Sequence, residues 1–187
     1  PAEDRPGRIV LVPMSVERPA GAGWTLVRRT DTDLTFLHPA DREHNSLVAI
    51  ASGKVPDKRV RTTDELAAQL RKDLKEKADP KRFEILTEEI HPDAASDRKC
   101  VRYRQHARDL AATGADGKAQ LIDLYGQVCL HPADEGIVLA ATLSGRAPAG
   151  STGKDNVAEL AERFFKGVHP HAPLKGKDWQ ALAEQGD

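Results

Sequence analysis

Aromatic side chains are scarce in this 187-residue chain, which holds 4 Phe, 2 Trp, 2 Tyr and a single Met. A stacking platform for bases or sugars has little to be built from, and the core must come from Leu, Val, Ile and Ala. An excess of either charge is also lacking. Lys and Arg number 28 against 29 Asp and Glu, a net charge of -1, so neither a globally basic nucleic-acid binder nor a polybasic membrane binder has compositional support. Local patches remain open. No apolar run approaches the roughly 20 residues that cross a bilayer as a helix. The cysteines are only two, Cys100 and Cys129, and no Cys-x-x-Cys redox motif or His-Glu-x-x-His zinc motif occurs. The first residue is Pro1 rather than Met, so the expectation is that processing or cleavage has removed what lay upstream, a signal peptide or a lipid-attachment cysteine being one candidate for it.

What is present fits a folded α+β protein. With 39% hydrophobic and 30% charged residues, the chain has the balance of a soluble globular domain and the length for one core. The expected layout is a single α+β domain over residues 1–170, in which residues 1–22 form an N-terminal extension with a candidate edge strand at 9–12. Residues 171–187 form a tail in which Trp179 and Leu182 dock a short helix.

Leu37-His38-Pro39-Ala40-Asp41 recurs as Leu130-His131-Pro132-Ala133-Asp134. Each copy leads into an apolar run, 47–50 and 137–141, then into Ser52-Gly53 or Ser144-Gly145, a proline and a helical pattern. This describes a duplicated strand-turn-strand-helix unit whose copies pair into one sheet. The first helix starts near Thr62, where Thr62 and Glu65 form a capping box, and its stripe is Leu66, Ala67, Leu70 and Leu74. The second starts near Thr152 or Gly153 and carries Val157, Leu160, Ala161, Phe164 and Val168.

Between the helices the chain alternates as strands do. Centring a hairpin on the loop 109–118 sets Val101 opposite Val128, Tyr103 opposite Gly126 and Ala107 opposite Ile122 on an inner face. Cys100 then faces Cys129 on the outer one. A following hairpin pairs Leu130 with Ile137, Val128 with Leu139 and Leu124 with Leu143, giving an antiparallel meander with two main helices packed on it. Trp24 to Leu37 forms a further hairpin turning at Thr30 to Asp33.

Candidate chemistry is thin. Cys100 and Cys129 admit a disulfide, a catalytic thiol or two buried thiols; their opposed register favours the disulfide. His106 lies roughly 20 Å along the strand from Cys100, too far for a dyad. Four of the seven histidines, His38, His91, His131 and His169, precede proline, which is turn chemistry. The metal alternative requires His38 and His131 to converge with His169 or His171. A phosphate loop at Gly150 to Lys154 fails, because Pro148 and Asp155 stand where glycine and a hydroxyl residue belong. The outer hairpin face gathers Arg102, Arg104, His106 and Arg108 opposite Asp123 and Tyr125, a candidate surface for an anionic ligand or partner.

The element order, with Gly23-Trp24 opening an early strand, resembles the PsbP-like fold over about residues 22–170. That fold is shared by the extrinsic photosystem II protein, a Ran-binding nuclear import factor and bacterial lipoproteins of the DcrB type. The resemblance implies a non-enzymatic binding or assembly module of the bacterial cell envelope, a processed lipoprotein in the periplasm, with no cofactor. Its partner is expected to be another protein or envelope component and not a nucleic acid. The alternatives are a cytoplasmic location and a small hydrolase or metal-binding protein using histidines at the strand-end turns.

Overall fold

The computed structural model describes residues 7–40, 46–56, 58–113, 117, 119–148 and 156–175. The expected tail helix at Trp179 and Leu182, the helix start near Thr152 and the segment Gly150 to Lys154 lie outside these residues. The elements are β1 (Arg8–Val10), β2 (Met14–Glu17), β3 (Thr25–Arg29), β4 (Asp33–His38), β5 (Ser46–Lys54), α1 (Thr63–Lys77), β6 (Phe83–Pro92), β7 (Cys100–Thr113), β8 (Ala119–Leu130), β9 (Val138–Pro148), α2 (Val157–Lys166) and β10 (Val168–Pro170). Seven strands form one antiparallel sheet in the order β3-β4-β5-β9-β8-β7-β6, and three form a second in the order β1-β2-β10. The class is α+β, with an antiparallel meander and two helices.

Both helices begin where side chains satisfy their free amides. The Thr62 hydroxyl accepts from the Glu65 amide at 3.2 Å, while the Glu65 carboxylate accepts from the amides of Thr62 and Arg61. Asn156 caps α2 by accepting from the Glu159 amide at 3.1 Å. Each helix then follows the apolar residues of a different sheet face. Leu66 and Ala67 of α1 pack with Val101, Tyr103, Val128 and Val138. Ala161, Phe164 and Phe165 of α2 pack with Leu34, Phe36, Ala49, Ala51, Leu139, Ala141 and Leu143 on the opposite face.

The β7–β8 register is the expected one, from Cys100 opposite Cys129 through Ala107 opposite Ile122. The β8–β9 register differs by one residue: Leu130 pairs with Val138, Val128 with Ala140 and Leu124 with Ser144. The turn explains the slip. The His131 amide donates to the Ile137 carbonyl and the Ile137 amide to that of Asp134, so Ile137 belongs to the turn. The one-residue shift sends Leu139, Ala141 and Leu143 to the α2 face, as period-two geometry requires.

The duplicated hairpins β4–β5 and β8–β9 lie with their second strands adjacent, Ala51 opposite Ala141. The copies are not identical. Leu37 pairs with Val48 but Leu130 with Val138, so the second corner is three residues shorter. The duplication also stops at the helices, which occupy opposite faces.

The candidate edge strand at 9–12 corresponds to β1, which lies at the edge of the second sheet and not of the main one. β1 and β2 pair with each other and with β10, and Leu11, Met14 and Val16 are fully buried in the α2-side core. Burial of three large apolar side chains explains why this stretch is part of the body and not an extension.

Candidate functional site

On the α1 face, the sheet centre is built from small residues. Gly126 of β8, Ala140, Thr142 and Ser144 of β9 and Ser52 of β5 share that surface. Tyr103 reaches across from β7 so that its ring and hydroxyl lie over Gly126, where any Cβ would collide with them. Above this floor α1 offers a narrow stripe, with Leu66 buried but Leu70 and Leu74 only half-buried. The helix rests on β6, β7 and β8 and leaves a space on its other flank.

That space is a cavity of about 510 Å³, floored by Tyr103, Val128, Ala140, Thr142 and Ser52 and walled by Leu70 and Leu74. A second hollow of about 270 Å³ adjoins it, sharing Leu74 and Lys77 and lined by Phe83, Ile85, Ala107, Ile122 and Leu124. The larger space falls in the range of small-molecule sites, roughly 300–1,000 Å³. At the mouth, Lys77 pairs with Asp73 at 3.7 Å and Lys72 with Glu76 at 3.7 Å. Burial pushes the Tyr103 phenol up to about 12. Of these residues the sequence reading anticipated Tyr103 over Gly126 and the helix stripe of Leu66, Leu70 and Leu74, but not the space between them. Ser52 and Thr142 carry no motif for it, and the available signal was the run of small residues on a strand facing a helix.

The row on the opposite face divides into two parts. Arg102 is built into the fold: its Nε donates to Asp93 at 2.7 Å, and Nη1 and Nη2 donate to the two Glu162 oxygens of α2 at 2.7 and 3.1 Å. Its guanidinium also lies 4.9 Å from the Phe165 ring centre. Asp93 accepts from Gln127 as well, at 2.9 Å. Burial works to raise its pKa, but the bonds from Arg102 and Gln127 outweigh this and hold the carboxyl below its ordinary value. The helix therefore covers this end of the face, and Cys100 and Cys129 beside it are buried instead of lying outside.

Farther along, the face is open. Arg104 lies over Tyr125 at 5.2 Å and near Asp123 at 3.7 Å. His106 Nδ1 donates to Asp123 at 3.0 Å, and Arg108 donates to Glu84 at 2.6 Å. Each cation of the row thus has a carboxylate beside it, which leaves little net field for a simple anion.

Cys100 and Cys129 form a disulfide across β7 and β8, Cα to Cα 4.0 Å. An intramolecular disulfide points to a non-reducing compartment. No helix among the described residues is long and apolar enough to cross a membrane.

The fold does not bring His38 and His131 together. His38 is level with Leu47, Gly145 and Asp123, and His131 lies beyond the opposite end of β8. The duplicated corners are therefore at opposite sheet ends. His131 Nε2 donates to the carbonyls of Pro13 and His171, while Nδ1 accepts from the Ala133 amide. His169 pairs with Glu17 at 3.0 Å. Among the described residues no group of three metal-ligating side chains occurs.

No protein-family model matches the chain, and no curated protein matches it by sequence. Solved structures do. A point mutant of the protein Mog1 is similar at 13% identity and a TM-score of 0.50, covering 83% of this chain and 89% of that one. Human STARD10 gives 9% identity and a TM-score of 0.34 over 79% of this chain and 69% of that one. A STAR-related lipid transfer protein fragment from Xanthomonas axonopodis gives 12% and 0.30 over 78% and 96%. The Mog1 likeness supports the resemblance to the PsbP-like group at the level of fold.

Proposed function

We propose that the protein is a non-enzymatic binding module of the bacterial cell envelope, working in the periplasm or from a lipid anchor on the envelope. The observation that carries the binding role is the cavity of about 510 Å³ between α1 and the sheet; the disulfide supports an oxidising compartment. Titration with the neutral dye Nile red tests the binding role. Saturable binding is expected, and Leu70→Trp, which fills the space, should abolish it. A dye signal that the tryptophan leaves unchanged would overturn the reading. Fractionation of cells with alkylation of thiols before lysis tests the compartment, a cytoplasmic protein with two free thiols being the contrary result.

A second reading assigns partner recognition to the open part of the row, Arg104, His106, Arg108, Asp123 and Tyr125. It is favoured by Arg104 stacked on Tyr125 with nearly half of its side chain exposed, because Arg and Tyr are the residue types that dominate interface hot spots. The partner would be another envelope protein. Arg104→Ala together with Tyr125→Ala should remove cross-linking to that partner without altering dye binding.

A further inference from the structure

The floor of the cavity carries three hydroxyl side chains. Tyr103 on β7 faces Gly126 on β8, and Gly126 faces Thr142 on β9. Thr142 in turn faces Ile50 on β5, two residues from Ser52. Three hydroxyl side chains therefore share one face: Tyr103 lies two strands from Thr142 with Gly126 between them, and Ser52 lies on the strand beside Thr142, diagonal to it. Tyr103 and Ser52 are 8% and 5% exposed, and both line the cavity with Thr142. None of the three hydroxyls has a hydrogen-bonding partner among the described residues.

Buried hydroxyls are ordinarily bonded, because leaving one unmet costs free energy. The buried amides Gln105 and Gln127 follow that rule, Gln105 donating to Glu88 and Gln127 to Asp93. The hydroxyls of Tyr103, Thr142 and Ser52 are not among the enclosed, unpartnered polar atoms of the described residues, which are Arg8 Nε, Asp109 Oδ2 and His171 Nε2; they open instead onto the space between helix and sheet. That space is lined by the apolar Ile50, Val128, Val138, Ala140, Leu70 and Leu74. Its helix flank and rim add the polar Gln69, Asp73, Glu76, Lys54 and Lys77.

Resting on the cavity reading above, we propose that the site takes an aliphatic molecule carrying one uncharged oxygen group, an alcohol, ester or ketone, whose oxygen meets the hydroxyls of Tyr103, Thr142 and Ser52 while its chain lies beneath Leu70 and Leu74. The uncharged head follows from the surroundings. The floor holds no cation, and an ionised group placed there would lose its hydration without a counter-charge. The lysines of the site lie at the mouth, Lys77 already paired with Asp73 and Lys54 exposed on the rim. A carboxylate would therefore seek the rim and withdraw its chain from the floor.

Displacement of Nile red from the oxidised full chain by 1-decanol and by decanoate at about pH 8, where a carboxyl group is ionised, tests this. Decanol is expected to displace the dye at lower concentration. Tyr103→Phe, which keeps the ring over Gly126, should weaken decanol by about fivefold, as the loss of one hydrogen bond implies, and leave decanoate unchanged. Ser52→Ala and Thr142→Val should act in the same direction. All three variants should melt within about 2 °C of the parent, because the hydroxyls they lose bond to nothing in the protein. If decanoate binds as tightly as decanol, or if the three variants leave decanol binding unchanged, the head-group assignment is overturned while the cavity reading stands. If neither compound displaces the dye, the proposed ligand class is wrong, while the cavity reading stands or falls with the Leu70→Trp result.

Discussion

On the α2 side, Ala49, Ala51, Ala141 and Leu143 of the sheet meet Ala161, Phe164 and Phe165 of the helix, none of them more than 3% exposed. On the α1 side, Gly126, Ala140 and Thr142 meet Leu66, Leu70 and Leu74, and a cavity of about 510 Å³ remains. The α2 face of the sheet also carries Leu34, Phe36 and Leu139, so the sheet and the cover laid over it both differ between the two sides. Two phenylalanines, helped by Met14 and Val16 from the second sheet, fill one side to interior density. Three leucines on a single helix cannot fill the other. A space thus follows from small side chains on the sheet meeting a single narrow apolar stripe on the covering helix.

The comparison can be broken most directly by truncation. Phe164→Ala should cost about 3–5 kcal/mol, the range for a fully buried aromatic, whereas Leu70→Ala, half-buried beside existing empty space, should cost about 1–2 kcal/mol. Urea denaturation midpoints measure both. Equal losses would mean that the α1 side is as tightly packed as the other.

The disulfide sharpens the comparison from the α2 side, where it is buried. Replacing Cys100 and Cys129 together by Ser releases a crosslink 29 residues apart in sequence, worth about 3–4 kcal/mol in the chain-entropy account. Denaturation with and without reductant should reproduce that loss in the parent and show no effect of reductant in the double variant.

Much of this architecture was legible in the residues. Strict alternation from Cys100 to Ala107 and from Ile122 to Cys129 admits one register, and the structure has it. The next hairpin was misplaced by one residue because the run 137–141 is apolar throughout, and a run without alternation fits either register equally well. The second sheet was out of reach for another reason: its strands have three or four residues, and β10 joins β2 from about 150 residues downstream. No local pattern encodes such a contact. The disulfide partners followed from register alone, but the cover that α2 provides for Arg102 did not, because nothing in a strand pattern says which face a later helix will choose. The cavity was hidden likewise, being a property of two elements together.

Acid sharpens the same contrast. Asp93 anchors the covered end of the α2 face, and its carboxyl titrates below the ordinary value when folded. A depressed folded pKa gives stability that is complete above the unfolded value, about 3.9, and disappears as pH falls through the folded one. Asp93→Asn should cost about 1.5–3 kcal/mol at neutral pH, as expected for hydrogen bonds to a charged group. The gap between parent and variant should close as pH drops below about 4. A gap that stays constant with pH would show that the charge of Asp93 contributes nothing.

The smallest effects belong to the arginine row, and they decide how far the covered region extends. Arg102 bonds to Asp93 and to both oxygens of Glu162 while stacking on Phe165, with its side chain 19% exposed. A bidentate, partly desolvated guanidinium is worth more than an exposed pair, so Arg102→Ala should cost about 1–2 kcal/mol, through lost packing on Phe165 as well as lost charge. Arg104 and Arg108 have side chains 48% and 41% exposed, each beside a carboxylate that is itself solvated. Alanine at either should change stability by no more than about 0.5 kcal/mol, a change that added salt erases. Differential scanning calorimetry of the three variants at low and high salt makes the measurement. If Arg104→Ala proves as costly as Arg102→Ala, the cover extends along the whole strand and the open face is structural; if only Arg102 matters, Arg104 and Tyr125 are free to be altered in the cross-linking experiment without disturbing the fold.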